Sequence, residues 1–70
     1  MTPVLAQLTE REEVVLDCVA RGMGRREIAR ELGISPWTVK EHQRNIRRKL
    51  AAATLANAVY VYSERRRSVA

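Results

Sequence analysis

Apolar residues recur along this chain at helical spacing in four short stretches, each bounded by residues suited to start or stop a helix. The first holds Val15, Leu16, Cys18 and Val19. Thr9 precedes it with Glu12 three residues on, the pattern of a capping box in which each side chain bonds the other's backbone N–H. Glu10, Glu12 and Glu13 suit the positive end of the helix dipole, and Gly22 is placed to stop the helix in a left-handed conformation. A helix over about residues 10–21 is predicted. Ile28, Ala29 and Leu32 line one face of a second, short helix, about 25–32, which Gly33 stops. Ser35 caps a third, about 36–50, and Pro36 opens it, because the N–H that proline lacks has no partner at a helix start. Thr54 introduces a fourth, about 55–64, burying Leu55, Ala58, Val59 and Tyr62. The pattern predicts an all-α, four-helix domain with a helix-turn-helix at its centre.

Size and composition narrow what such a domain does. Seventy residues make a single domain, 1–70, with a core of about 8–64. A chain this short hides only about 60% of the surface its unfolded form exposes, so no deep catalytic pocket is expected. With 46% apolar and 30% charged residues it still builds a helical core and is not a disordered tail. The single Cys18, on the apolar face of the first helix, excludes an internal disulfide and a multi-cysteine zinc site, and fits a reducing cytosol. The apolar stretches are too short and too broken by charge for a membrane span, and Met1-Thr2-Pro3 lacks the regions of a signal peptide. A cytoplasmic protein is expected. Eight or nine residues before the first helix are too few for a further domain, and the Met1 start favours a chain that stands alone over an excised module. His42 has no base, nucleophile or second ligand beside it. No catalytic residue, metal, cofactor or small-molecule ligand is expected.

Charge then singles out one helix. The net charge is +5, yet residues 1–20 sum to −3, while residues 35–50 reach +4 through Lys40, Arg44, Arg47, Arg48 and Lys49 against Glu41. At 100° per residue, Val39, His42, Gln43, Ile46 and Leu50 gather within about 60° of one direction and form the core face. The opposite side carries Trp37, Lys40, Glu41, Arg44, Asn45 and Arg48, with Thr38, Arg47 and Lys49 nearer its edges. An ordinary surface helix mixes both signs in i, i+4 pairs; one acid among five bases is the pattern of a polyanion-binding face. Arginine and lysine donate to guanine O6 and N7, and an acid accepts from cytosine N4. Ser35, Thr38, Asn45 and Lys49, with Arg48 beside them, are suited to phosphates, which fix register without reading sequence. Trp37 has two open readings: stacking on the sugar-phosphate backbone or a thymine methyl, or covering the apolar edge of a partner.

Ala29, Gly33 and Val39 have the spacing of a helix-turn-helix: a small residue for close helix approach, a sharp turn, and a return to the core. Around them, Leu8-Thr9-Glu10-Arg11-Glu12, Gly22, Glu27-Ile28-Ala29, Leu32, Ile34-Ser35, Thr38-Val39-Lys40, His42, Asn45-Ile46 and Lys49-Leu50 resemble the LuxR-type DNA-binding domain, a family that includes a small stand-alone spore-coat regulator of bacilli. The resemblance covers about residues 8–60. It implies that Lys40, Glu41 and Arg44 read bases and that Ser35, Thr38, Asn45 and Lys49 contact the backbone. It also implies a homodimer through the fourth helix, with Ala56 and Tyr60 against the second copy. Bacterial transcription regulation by binding double-stranded DNA is the function expected.

Four departures stand out from the family pattern: Val14 for a usual Glu, Gly24-Arg25 for Ser-Asn, Ala51 for Gly, and Leu55 for Arg. The first and last put the usual polar contacts there in doubt. The glutamates of the first helix and Asp17 are read as a solvated face, which also offers a surface to RNA polymerase. Arg65-Arg66-Arg67 suits the negative end of the last helix, with added nonspecific affinity for DNA as the alternative reading. Two rivals remain at this stage: the promoter-reading module of a sigma factor, against which Thr38-Val39-Lys40-Glu41-His42 speaks, and a helical protein-interaction adaptor whose basic face is incidental.

Overall fold

The computed structural model describes residues 7–69, so the Met1-Thr2-Pro3 reading and the outer bounds 1–70 fall partly outside the described residues. Four helices follow in order: α1 Glu10–Ala20, α2 Arg25–Leu32, α3 Pro36–Lys49 and α4 Leu55–Val69. Each of the expected start signals acts locally. Thr9 Oγ1 accepts from Glu12 N at 3.1 Å while Glu12 Oε1 accepts from Thr9 N at 2.9 Å, closing the capping box. Ser35 Oγ accepts from Thr38 N, and Thr54 Oγ1 from Asn57 N. At α2, where Gly24 offers no side chain, Glu27 alone turns back to accept from Gly24 N at 2.9 Å.

The first three helices stop in one way. Met23 N bonds Cys18 O and Gly22 N bonds Val19 O, with Gly22 at φ +85°. After α2, Ile34 N bonds Ala29 O across Gly33 at φ +69°. After α3, Ala52 N bonds Arg47 O and Ala51 N bonds Arg48 O, but the left-handed position, φ +52°, is held by Ala51. These bonds satisfy carbonyls that a helix end otherwise leaves open. The departure at Ala51 is therefore a backbone matter: its Cβ sits in a conformation that only glycine adopts without strain.

Val15, Leu16 and Cys18 of α1, Ile28 and Ala29 of α2, Val39 and Ile46 of α3, Leu50, and Ala58 of α4 form one buried cluster. Leu8, Met23, Leu32, Ile34, Val59 and Tyr62 pack around it. The core thus clamps α3 against both α1 and α2. Among the described residues no helix is long and apolar enough to cross a membrane.

Three expectations are corrected. Arg21 and Leu50 are cap residues, so α1 and α3 each end one residue early. Helix α4 runs to Val69, five residues past the expected end, because no Gly or Pro follows residue 64 and Arg66 and Arg67 lie in its last turn, where cations suit the dipole. Arg66 also lies over the Tyr62 ring, and Arg67 pairs with Glu64. Glu12, assigned to a solvated face, is instead only 4% exposed. The fold brings Lys49 Nζ to within 2.8 Å of its carboxylate, which allows the charge to be buried.

Candidate nucleic-acid interface

Fourteen residues make α3 about 21 Å long, and an α-helix of that kind fits the major groove, which is about 12 Å wide. Its inner side is fixed: Val39 and Ile46 are fully buried, Leu50 follows at the cap, and Gln43 is buried beside them. The outer side follows from helical geometry. Trp37, Lys40, Glu41, Arg44 and Arg48, at i, i+3, i+4, i+7 and i+11, fall within about 60° of a common direction. Trp37 is 67% exposed, Lys40, Arg44 and Arg48 are exposed, and Glu41 is half-buried. A rigid core on one side thus presents cations and one indole on the other.

The remaining predicted contacts divide. Ser35 and Thr38 sit together at the start of α3, their hydroxyls 3.0 Å apart. Asn45 Oδ1 accepts from Arg48 Nη2 at 3.2 Å, so these two act as a pair on the outer edge. Lys49 is drawn elsewhere. Its ammonium meets Glu12 on α1, and its side chain keeps 21% exposure. Ala56 and Tyr60, one turn apart on α4, are exposed, Tyr60 at 63%.

The α1 flank of α3 is electrostatically closed. Burial alone pushes the Glu12 carboxyl up, but the Lys49 hydrogen bond, the Thr9 N–H, and the charges of Lys49 and His42 together hold it below the usual carboxylate range. Farther along α1, Glu13 accepts from the Tyr62 hydroxyl at 2.7 Å and ties α4 to α1. Burial, then that bond to Glu13, pushes the Tyr62 phenol up, so it stays a donor at neutral pH.

The opposite flank is different. Arg25 Nε, at the start of α2, donates to Gln43 Oε1 at 3.3 Å. Periodicity had put Gln43 on the core face correctly, but no spacing rule pairs it with a residue 18 positions away. The Glu12–Lys49 contact, separated by 37 positions, was invisible for the same reason.

Comparison with known proteins agrees with this architecture. Residues 6–62 match the family described as bacterial regulatory proteins, luxR family. The transcriptional regulatory protein FixJ of Azorhizobium caulinodans is 42% identical over 55 residues, which are 79% of this chain and 26% of that protein. The transcriptional regulatory protein UhpA of Escherichia coli is 48% identical over 46 residues, 66% of this chain and 24% of that protein. The nitrate/nitrite response regulator protein NarP of Escherichia coli is 42% identical over 59 residues, 84% of this chain and 27% of that protein. The chain therefore spans about a quarter of the length of these relatives. With most of its residues matched, the chain belongs to the luxR family of bacterial regulatory proteins, and its four helices form a LuxR-type helix-turn-helix DNA-binding domain.

Proposed function

We propose that this domain regulates transcription by sequence-specific binding of duplex DNA, with α3 in the major groove and Lys40, Glu41 and Arg44 reading base edges. The observation that carries this reading is the outer stripe of α3, which is cationic but for Trp37 and Glu41 and is backed by the buried Val39, Gln43, Ile46 and Leu50. Ser35, Thr38, Asn45 and Arg48 contact phosphates along the stripe's edges and set its register. Lys49 is left out of this interface because its ammonium is engaged by Glu12. Trp37, one turn before Lys40 and Glu41, packs on a thymine methyl or the adjoining sugar.

Two copies bind together, joined through Ala56 and Tyr60 of α4, which would set their recognition helices about 34 Å apart on one side of the duplex. The exposed Glu10, Glu13 and Asp17 of α1 offer a surface to a basic region of RNA polymerase. The domain would then act in the cytoplasm, at the nucleoid.

Selection of bound fragments from random duplex DNA tests the reading, and a shared motif with two-fold symmetry is the expected result. On the selected site, the Lys40→Ala, Arg44→Ala double variant loses about tenfold or more in affinity for each side chain removed. Unchanged affinity in that folded variant overturns the assignment. Sedimentation of a single copy, both free and on the site, rules out the dimer.

A further inference from the structure

The two flanks of α3 treat their cations differently. Toward α1, Lys49 is neutralised by Glu12 inside the protein. Toward α2 and the start of α4, Arg25, Lys40, Gln43, Arg44, Arg47 and Thr54 line one open cleft, and among the described residues no carboxylate lines it. Four like charges facing one cleft repel each other until an anion enters.

Gln43 makes the cleft more than a chance gathering. A buried amide costs about 1–3 kcal/mol unless it is hydrogen-bonded, so an apolar side chain would be the simpler core residue at this position. Gln43 is 6% exposed, and its Oε1 accepts from Arg25 Nε. A long exposed arginine otherwise samples many rotamers, and ordering it at the moment of binding is unfavourable. The Gln43 bond orders it beforehand. It uses only Nε, which leaves the two terminal nitrogens of the guanidinium for a second partner, in the fork geometry that suits phosphate oxygens.

We infer that Arg25, positioned by Gln43, is a DNA-phosphate contact outside α3, and that with Arg47 it clamps the backbone strand bordering the groove. The inference rests on the DNA-binding reading above and adds a contact from a second helix. Its ligand is a backbone phosphodiester and not a base, because Arg25 belongs to α2 and not to the groove-entering α3, whose Lys40 and Arg44 line the same cleft and continue from it to the bases. Gln43 is a positioning residue. It acts through Arg25 and touches no DNA.

The test uses the full chain and labelled duplex DNA of random sequence, titrated by fluorescence anisotropy over a salt series, with circular dichroism to establish folding. Arg25→Ala weakens binding about tenfold at low salt and makes the slope of log affinity against log salt shallower by about 0.9, equally on all sequences. Arg25→Lys retains the slope. Gln43→Leu, which keeps every charge, lowers affinity in the parent but has no further effect in the Arg25→Ala background. If Arg25→Ala keeps the parent slope and affinity while the Lys40→Ala, Arg44→Ala variant loses binding, the clamp is wrong and the DNA-binding reading stands. If Gln43→Leu weakens binding equally with and without Arg25, the positioning role is overturned. Failure of the parent chain to bind duplex DNA in a salt-dependent way overturns both readings.

Discussion

Replacing Lys49 with Met keeps the aliphatic stem and removes the charge that faces Glu12. The Glu12 side chain is 6% exposed and that of Lys49 21%. A fully exposed ion pair contributes about 0–1 kcal/mol, whereas breaking a fully buried one by removing a partner costs about 3–5 kcal/mol. The carboxylate lies near the buried limit, while the lysine keeps some water, so a loss of about 2–3 kcal/mol is expected. A domain of this length has only about 4–10 kcal/mol of stability in total, and the midpoint of thermal unfolding should fall by about 10–20 °C.

The pH dependence carries a sign. In the parent protein the Glu12 carboxyl titrates below its ordinary value of 4.5, so its stabilisation is present above that value and is lost as pH falls through the folded one. Without Lys49, burial still raises the carboxyl and only the Thr9 N–H and the His42 charge oppose it, so the carboxyl moves upward and the variant loses less on acidification than the parent does. Urea unfolding followed by circular dichroism at about pH 7 and about pH 4 should show the gap between parent and variant closing at the lower pH. A variant within about 0.5 kcal/mol of the parent at neutral pH, or a gap independent of pH, would refute the argument. The folded variant should also bind duplex DNA as the parent does. A loss of binding would return Lys49 to the phosphate contacts.

Ala51→Gly relieves a left-handed strain of about 1–2 kcal/mol but adds freedom to the unfolded chain, so a net gain of about 0.5–1 kcal/mol is expected in thermal unfolding. Ile46→Ala deletes a fully buried side chain at the junction of α3 with the core and should cost about 2–5 kcal/mol, enough to leave part of the population unfolded at room temperature by urea titration. Trp37→Ala removes an exposed indole, so it should leave the unfolding midpoint within about 0.5 kcal/mol of the parent. Its effect should appear on DNA, as a loss of preference at one position of the selected motif; a motif and affinity identical to the parent's would exclude Trp37 from the interface.

Helix starts, two of the helix stops and the outer stripe of α3 were legible because each is a local property. A cap joins residues three apart, a left-handed stop is marked by a glycine at or just past the helix end, and a stripe needs only the 3.6-residue period. Thus α2 took its predicted bounds, and Val39, Gln43, Ile46 and Leu50 faced the core as expected. The stop after α3 has the same bonds but no glycine, and the end of α4 has no stop signal before its last arginines. The chain's sequence therefore determined four helices, their order, and which side of α3 is free. Only the tertiary structure decided how the cations beside that side are used, because charges far apart in sequence meet only after the core has set the crossing of α1, α2 and α3. That packing drew Lys49 inward onto Glu12 and brought Arg25 outward over Gln43, so two basic residues alike in composition came to opposite situations.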